Sequence, residues 1–351
     1  MSGLGGRLLL SLAAIVASVL LFEGIARVLF DRPARGNMTP VPTSLLTRNA
    51  IPGVPFALRP KGSVVHEFPS DPRGYFDPGP SLTYRVNSLG FRGEETVRKK
   101  PAGTFRVVGL GDSFTFGTGV RRQDTYLSVL ERQLREGDSN GSYEVLNLGV
   151  MGYNTPDELQ MLRHRGLAYQ PDLVVLGFFL NDVGIISGPH TVRDHLNVGR
   201  ASGFLPAWAR GSVLLDRLDW LLVRSGKEEE LVSSHRAAFR PDRPGWQRAQ
   251  RSFERMGELA ELHGFDLALV IFPVLWQLSE GYPFTAIHEQ VRAAAESAGF
   301  RVLDLRTVYE DFEGPELWVH PTNQHPNEVG HEVAGDALFG FLVEEGLVLA
   351  R

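Results

Sequence analysis

The stretch "VVGLGDSFTFGTGV", Val107 to Val120, decides the fold. β-Branched apolar residues run into Gly109, Gly111, Asp112 and Ser113, and Gly117 and Gly119 follow. An apolar run that meets small and polar residues this way reads as a strand ending in a tight turn at the top of a sheet. It is not a phosphate-binding loop. A P-loop needs a lysine after its last glycine, and here Gly117 and Gly119 are followed by Thr118 and Val120. A dinucleotide fingerprint needs glycine where Phe114 stands, and the G-x-S-x-G elbow needs it at Thr115. What remains is a turn that presents the hydroxyl of Ser113.

Outward from that turn the chain alternates strand and helix. "DTYLSVLERQLREG" places Leu127, Leu130 and Leu134 on one helical face, and "YEVLNLG" is a second strand. "TPDELQML" opens a helix with Thr155 as N-cap, Pro156 first and Glu158 completing a capping box. "PDLVVLGFF" is nearly all apolar, as a strand covered on both faces should be. Helices near 244–263 and 285–298, strands "DLALVIF" and "FRVLDL", and a last helix from Asn327 complete the pattern. Such alternation implies an α/β fold, a parallel sheet with helices on both sides, over residues 103–351.

Composition narrows the function. Net charge is −5, and no basic block suggests nucleic acid. There are no cysteines, which excludes thiolate nucleophiles, disulfides and Cys-type zinc sites. Residues 31–102 are rich in Pro, Gly and Arg and read as a tether followed by irregular structure, except that "YRVNSLGFRG" alternates like a short strand and then turns. Residues 183–243 interrupt the rhythm. "FLPAWARGSVLLDRLDWLLVRSG" in that insertion reads as an amphipathic helix that packs on the domain, covers the site as a lid, or contacts a membrane.

The N-terminus bears on location. Leu8 to Phe22 is a run of 15 residues without charge, roughly 22 Å as a helix. Extended to Phe30 it can span a core of about 30 Å, with Glu23 and Arg27 paired one turn apart. Residues 8–30 therefore read as a transmembrane signal anchor, with a cleaved signal peptide as the alternative. Arg7 precedes the span and Arg27, Arg32 and Arg35 follow it, so the positive-inside count does not favour an outside domain. A short apolar N-terminal segment nevertheless works as an export signal, and an extracytoplasmic domain is the expectation.

Ser113 gains weight from its company. A serine nucleophile needs a base and carbonyl attack needs oxyanion donors. "QHPNEVGH" supplies His325 before the last helix, Gly152 offers an unobstructed backbone N–H, and Asn181 offers a side-chain amide. Each falls at a loop that can reach the carboxyl edge of the sheet, where doubly wound folds bind ligands. His320, His325 and His331 do not make a metal motif, since "HEVAG" is not H-E-x-x-H; neither metal nor cofactor is expected. Trp276, Tyr282 and Trp318 follow strands and could stack on a sugar or pack in the core.

With these residues in place, the sequence resembles the SGNH (GDSL) hydrolase family. "GLGDSFTFG", "NLGVMGYN", "FFLNDV" and "NQHPNEVG" match its four blocks in order. The resemblance implies a three-layer flavodoxin-like fold, with Ser113 as nucleophile and His325 as base. It implies an oxyanion hole of the Ser113 and Gly152 N–H groups and the Asn181 side chain, and a structural Asp112. Two positions depart from the family pattern. Phe179 stands where the third block usually has glycine, and Thr322 stands where an aspartate usually precedes the histidine. Thr322, Asn323, a backbone carbonyl, or an acid such as Asp304, Asp311 or Glu316 must then hold the imidazole. The expectation is an extracytoplasmic serine esterase or acyltransferase acting on an acylated carbohydrate or lipid. The alternative is a non-catalytic glycan-binding or assembly module on a degenerate fold of this type.

Overall fold

The computed structural model describes residues 2–29, 43–48, 50–68, 70–76, 79–138, 141–184, 212–279, 281–321 and 323–348. By internal contacts the chain divides into residues 1–37 with 189–231, and 38–188 with 232–351. The first unit contains helix α1 (Ser2–Leu29). Glu23 pairs with Arg27 at 2.7 Å, as its spacing suggests. The same carboxylate also accepts from the Ser212 hydroxyl at 2.6 Å and the N–H groups of Val213 and Leu214 at 3.0 and 3.1 Å.

The transmembrane helix expected over 8–30 is not recovered. Among the described residues no helix is long and apolar enough to cross a membrane. The charge-free run between Arg7 and Glu23 is about a quarter shorter than a hydrocarbon core, and Glu23 is committed to capping another segment. The insertion contributes a helix over Val213–Ala238, while residues 185–211 lie outside the described residues.

Residues 43–100 are more ordered than their Pro and Gly content suggests. They form two antiparallel hairpins, β1 (Leu46–Arg48) with β2 (Phe56–Leu58) and β3 (Ser63–Glu67) with β4 (Ser81–Arg85). The α/β part follows as β5 (Thr104–Gly111), α2 (Ser113–Phe116), α3 (Tyr126–Gly137), β6 (Ser142–Asn147), α4 (Thr155–His164) and β7 (Leu173–Phe178). After the insertion helix, α5, come α6 (Pro244–His263), β8 (Asp266–Ile271), α7 (Thr285–Ser297) and β9 (Arg301–Asp304). A small hairpin, β10 (Trp318–His320) and β11 (Asn323–Pro326), leads into α8 (Glu328–Glu344).

The five central strands are parallel in the order β6-β5-β7-β8-β9. This is the 2-1-3-4-5 order of a flavodoxin-like sheet. α3 packs against α8, whereas α4 packs against α6 and α6 against α7. Right-handed crossovers place these two groups on opposite faces, giving three layers. Every side chain of β7 is buried, and each such Val or Leu contributes about 1.5–3 kcal/mol. The strand order reverses between β5 and β7, so the ligand crevice lies beyond their carboxyl ends.

Two buried arginines fasten the segment between the N-terminal hairpins and β5 to this sheet. Arg106 inside β5 pairs with Glu144 and donates to the carbonyls of Val97, Arg98 and Tyr169. Arg92, from the turn after β4, donates to the carbonyls of Phe116, Gly117 and Val120 at 2.6–2.7 Å and lies over the rings of Tyr84 and Phe116. Burial draws its pKa down to about 10, so it stays charged at neutral pH. Arg92→Met would strand three carbonyls. We expect a loss of about 3 kcal/mol in urea unfolding; a loss below about 1 kcal/mol would show that the turn holds its shape without the guanidinium.

Candidate active site

The site begins where β5 stops. Gly111 has φ +149°, and a Cβ there would lie 2.7 Å from the Gly177 carbonyl and closer still to Thr115. Only glycine lets the chain turn so close to β7. Asp112 caps α2 by accepting from the Phe114 N–H at 2.8 Å. Ser113 is thereby held at the first position of a one-turn helix, half-buried, with its hydroxyl beyond the sheet.

Asn147, at the end of β6, donates to the Thr115 carbonyl and accepts from the Gly149 N–H, fixing the loop that carries Gly152. Gly152 is exposed with φ +81°, and a Cβ there would meet only Phe56, at 3.6 Å. Asn181 follows β7 and is exposed. Phe179 stacks on Phe114 at 4.1 Å, so the residue that replaces the usual glycine floors the site.

The hairpin β10–β11 brings in the histidine. His325 Nε2 lies 2.8 Å from Ser113 Oγ, between residues 212 apart in sequence. Its Nδ1 lies 2.5 Å from Asn323 Oδ1, which also accepts the backbone N–H of His325 at 3.2 Å. That second bond fixes the amide, because a flipped Asn323 would set its NH₂ against an N–H. With the oxygen facing the ring, Nδ1 must carry the proton and Nε2 offers its lone pair to Ser113.

Asn323 is thus the partner of the imidazole. Thr322 lies outside the described residues. Asp304 pairs instead with His288 at 2.9 Å, Glu316 caps the turn at Glu313, and Asp311 is exposed. His320 meets Ser70 at 2.9 Å, and His331 accepts from the Tyr126 N–H, burial drawing its pKa down to about 3. Of the aromatics, Tyr282 is buried against His288 and Trp318 donates to the Leu275 carbonyl, while Trp276 stays partly exposed.

Sequence reasoning gave Asp112 a structural role and missed that Glu158 is buried with it beneath the site. The cap of α4 is Asn154 with Asp157, one residue earlier than expected. Glu158 is therefore free of the capping box and wholly buried, as are Asp112 and Asp182. Both oxygens of Glu158 and Oδ1 of Asp182 lack a hydrogen-bond partner among the described residues. Burial pushes the Asp112 carboxyl up to about 6, against hydrogen bonds from the Phe114 N–H, Ser113 and the Asn181 side chain. Burial and then the neighbouring carboxyls push Glu158 and Asp182 well above the usual range.

The chain belongs to the GDSL-like lipase/acylhydrolase family, whose profile matches residues 110–333. It is an ester-hydrolysing enzyme by class. Solved structures with similarity include a putative lipolytic protein of the G-D-S-L family from Desulfitobacterium hafniense, 18% identical over 68% of this chain and 99% of that one, TM-score 0.38. Another is a catalytic mutant of an acetylxylan esterase from Geobacillus stearothermophilus, 14% identical over 70% of this chain and 97% of that one, TM-score 0.44. A search of curated proteins finds no match.

The buried carboxyls make a stability prediction. Below pH about 4 they are protonated in both folded and unfolded chains. Above it the unfolded chain ionises while the fold keeps its protons, so stability falls as pH rises, by about 1.4 kcal/mol per pH unit per group until the folded pKa is reached. Glu158→Gln cannot ionise. Its melting temperature relative to wild type should climb steadily from pH 5 to pH 8, and a difference independent of pH would place Glu158 in contact with solvent.

Proposed function

We propose that the protein is a serine esterase or acyltransferase working outside the cytoplasm on O-acylated carbohydrate or lipid, through a Ser113–His325 acyl-enzyme mechanism. The observation that carries this reading is the 2.8 Å contact between Ser113 Oγ and Nε2 of His325. His325 takes the hydroxyl proton as Ser113 attacks the ester carbonyl. The N–H groups of Ser113 and Gly152 and the amide of Asn181 receive the oxyanion. His325 then protonates the leaving alcohol, and the acyl group passes to water or to a second hydroxyl. The alternative of a non-catalytic module rests on the missing acid before His325. Asn323 supplies an orienting acceptor in its place, which favours catalysis.

Two experiments test this. Ser113→Ala and His325→Ala should lower p-nitrophenyl acetate turnover by at least about 10⁴-fold, and Asn181→Ala by about 10²–10³-fold. A fluorophosphonate probe should label wild type and not Ser113→Ala; labelling of both would remove Ser113 from the mechanism. A panel of acyl-chain and glycan esters then ranks the substrate classes.

Contact with a membrane is supported by α1, where Leu10, Ile15, Leu20, Leu21, Phe22 and Val28 expose more than half of their surface, and location outside the cytoplasm by the export role of short apolar N-terminal segments. Protease added to spheroplasts should digest the catalytic domain. Complete protection would overturn the placement.

A further inference from the structure

We propose that residues 70–76 form a positioning strap that fixes the nucleophile turn against the histidine hairpin; this rests on Ser113 and His325 being the reacting pair. The strap lies ahead of the α/β sheet in the chain and is closed on itself. Asp71 accepts from the N–H groups of Tyr75 and Phe76 at 3.0 and 2.8 Å, and Phe76 stacks on Phe68 at 4.3 Å.

One side of the strap grips the chain that leaves the nucleophile. The Tyr75 hydroxyl donates to Asp124 at 2.5 Å and accepts the Arg121 N–H at 2.7 Å. The Arg121 guanidinium donates to the Tyr75 carbonyl and covers its ring at 4.5 Å. Arg121 is separated from α2, and so from Ser113, only by the turn of residues 117–120.

The other side grips the histidine hairpin at β10 and the start of α8 that follows it. Ser70 meets His320 at 2.9 Å, and His320 is the residue of β10 that pairs with Asn323 of β11. Arg73 forks onto both oxygens of Glu328 at 2.9 and 2.7 Å, and Glu328 stands three residues after His325. The Asn323–His325 unit is therefore bracketed by two strap contacts, while a third set holds the Ser113 side.

The need for such a device follows from the neutral partner. An acid behind a histidine holds the ring by charge as well as by hydrogen bond. Asn323 offers only a dipole, so the ring's position depends more heavily on where the hairpin backbone is held. A displacement of about 1 Å between nucleophile and base costs on the order of 10²-fold in rate. The bidentate Arg–carboxylate fork supplies a defined geometry as well as attraction.

The test uses the full-length protein with Arg73→Glu, Glu328→Arg, their double charge swap and Tyr75→Phe. Measurements are kcat and KM for p-nitrophenyl acetate, the second-order rate of fluorophosphonate labelling, and melting temperature. Arg73→Glu should lower kcat and labelling rate by about 10–100-fold with KM within about twofold. The charge swap should recover at least about tenfold of that loss. Tyr75→Phe keeps the ring and should lower the same two rates while the melting temperature moves by only a few degrees. Wild-type rates in Arg73→Glu and Tyr75→Phe would overturn the strap, as would losses that follow melting temperature alone. Labelling of Ser113→Ala would overturn both the strap and the mechanism beneath it, whereas its absence beside unaffected strap variants would overturn the strap alone.

Discussion

A hydroxyl and an imidazole 212 residues apart in sequence meet at 2.8 Å, and they meet where the strand order reverses between β5 and β7. That crevice is the one place on such a sheet where loops from several strands converge without competing for the same volume. Backbone proximity sets the entry requirement. Gly111 faces Gly177 across the β5–β7 pair, and a side chain on either would displace Thr115 and lift α2 off the sheet. Once α2 sits low, Asp112 can cap it from within the core, Ser113 can stand at the rim, and the hairpin carrying His325 can close over the top.

Charge is arranged unusually around this point. The histidine is backed by a neutral amide, while three carboxyls lie buried beneath the segments that would receive an oxyanion. Asp112 adjoins Ser113, Asp182 adjoins Asn181, and Glu158 sits on the helix that follows Gly152. Ionised, these carboxyls would oppose negative charge developing just above them. Protonated, they are neutral, so burial does more than tax the fold. It holds Glu158 and Asp182 protonated well above the usual carboxylate range, and Asp112 only up to about pH 6.

The sheet was legible because its strands are long apolar runs and its helices carry apolar faces and Gly or Asn ends. Ser113 and His325, which meet at 2.8 Å, could be singled out because each sits in a short loop whose residue types suit one chemical task. Asn323 was one of several open partners, since sequence spacing could not say which acceptor would face the ring. The carboxyl floor was hidden by a one-residue slip: assigning the cap to Thr155 gave Glu158 a local partner, whereas Asn154 takes the cap and Glu158 turns inward. The hairpins of residues 43–100 were hidden because Pro and Gly mark turns equally well in a tether and between short paired strands.

Those hairpins change what counts as the site. The family match runs from residue 110 to 333, yet Phe56 stands against Gly152, Arg92 ties down the carbonyls after α2, and the 70–76 segment grips both the nucleophile side and the base side. A sheet with loops at its carboxyl edge supplies reacting groups, but loops are its most mobile parts. Holding two of them at hydrogen-bond distance takes contacts from outside the sheet, all the more when a neutral amide faces the ring of the base. On the proposed mechanism, the residues before the α/β core belong to the catalytic architecture as much as the motifs that define the family.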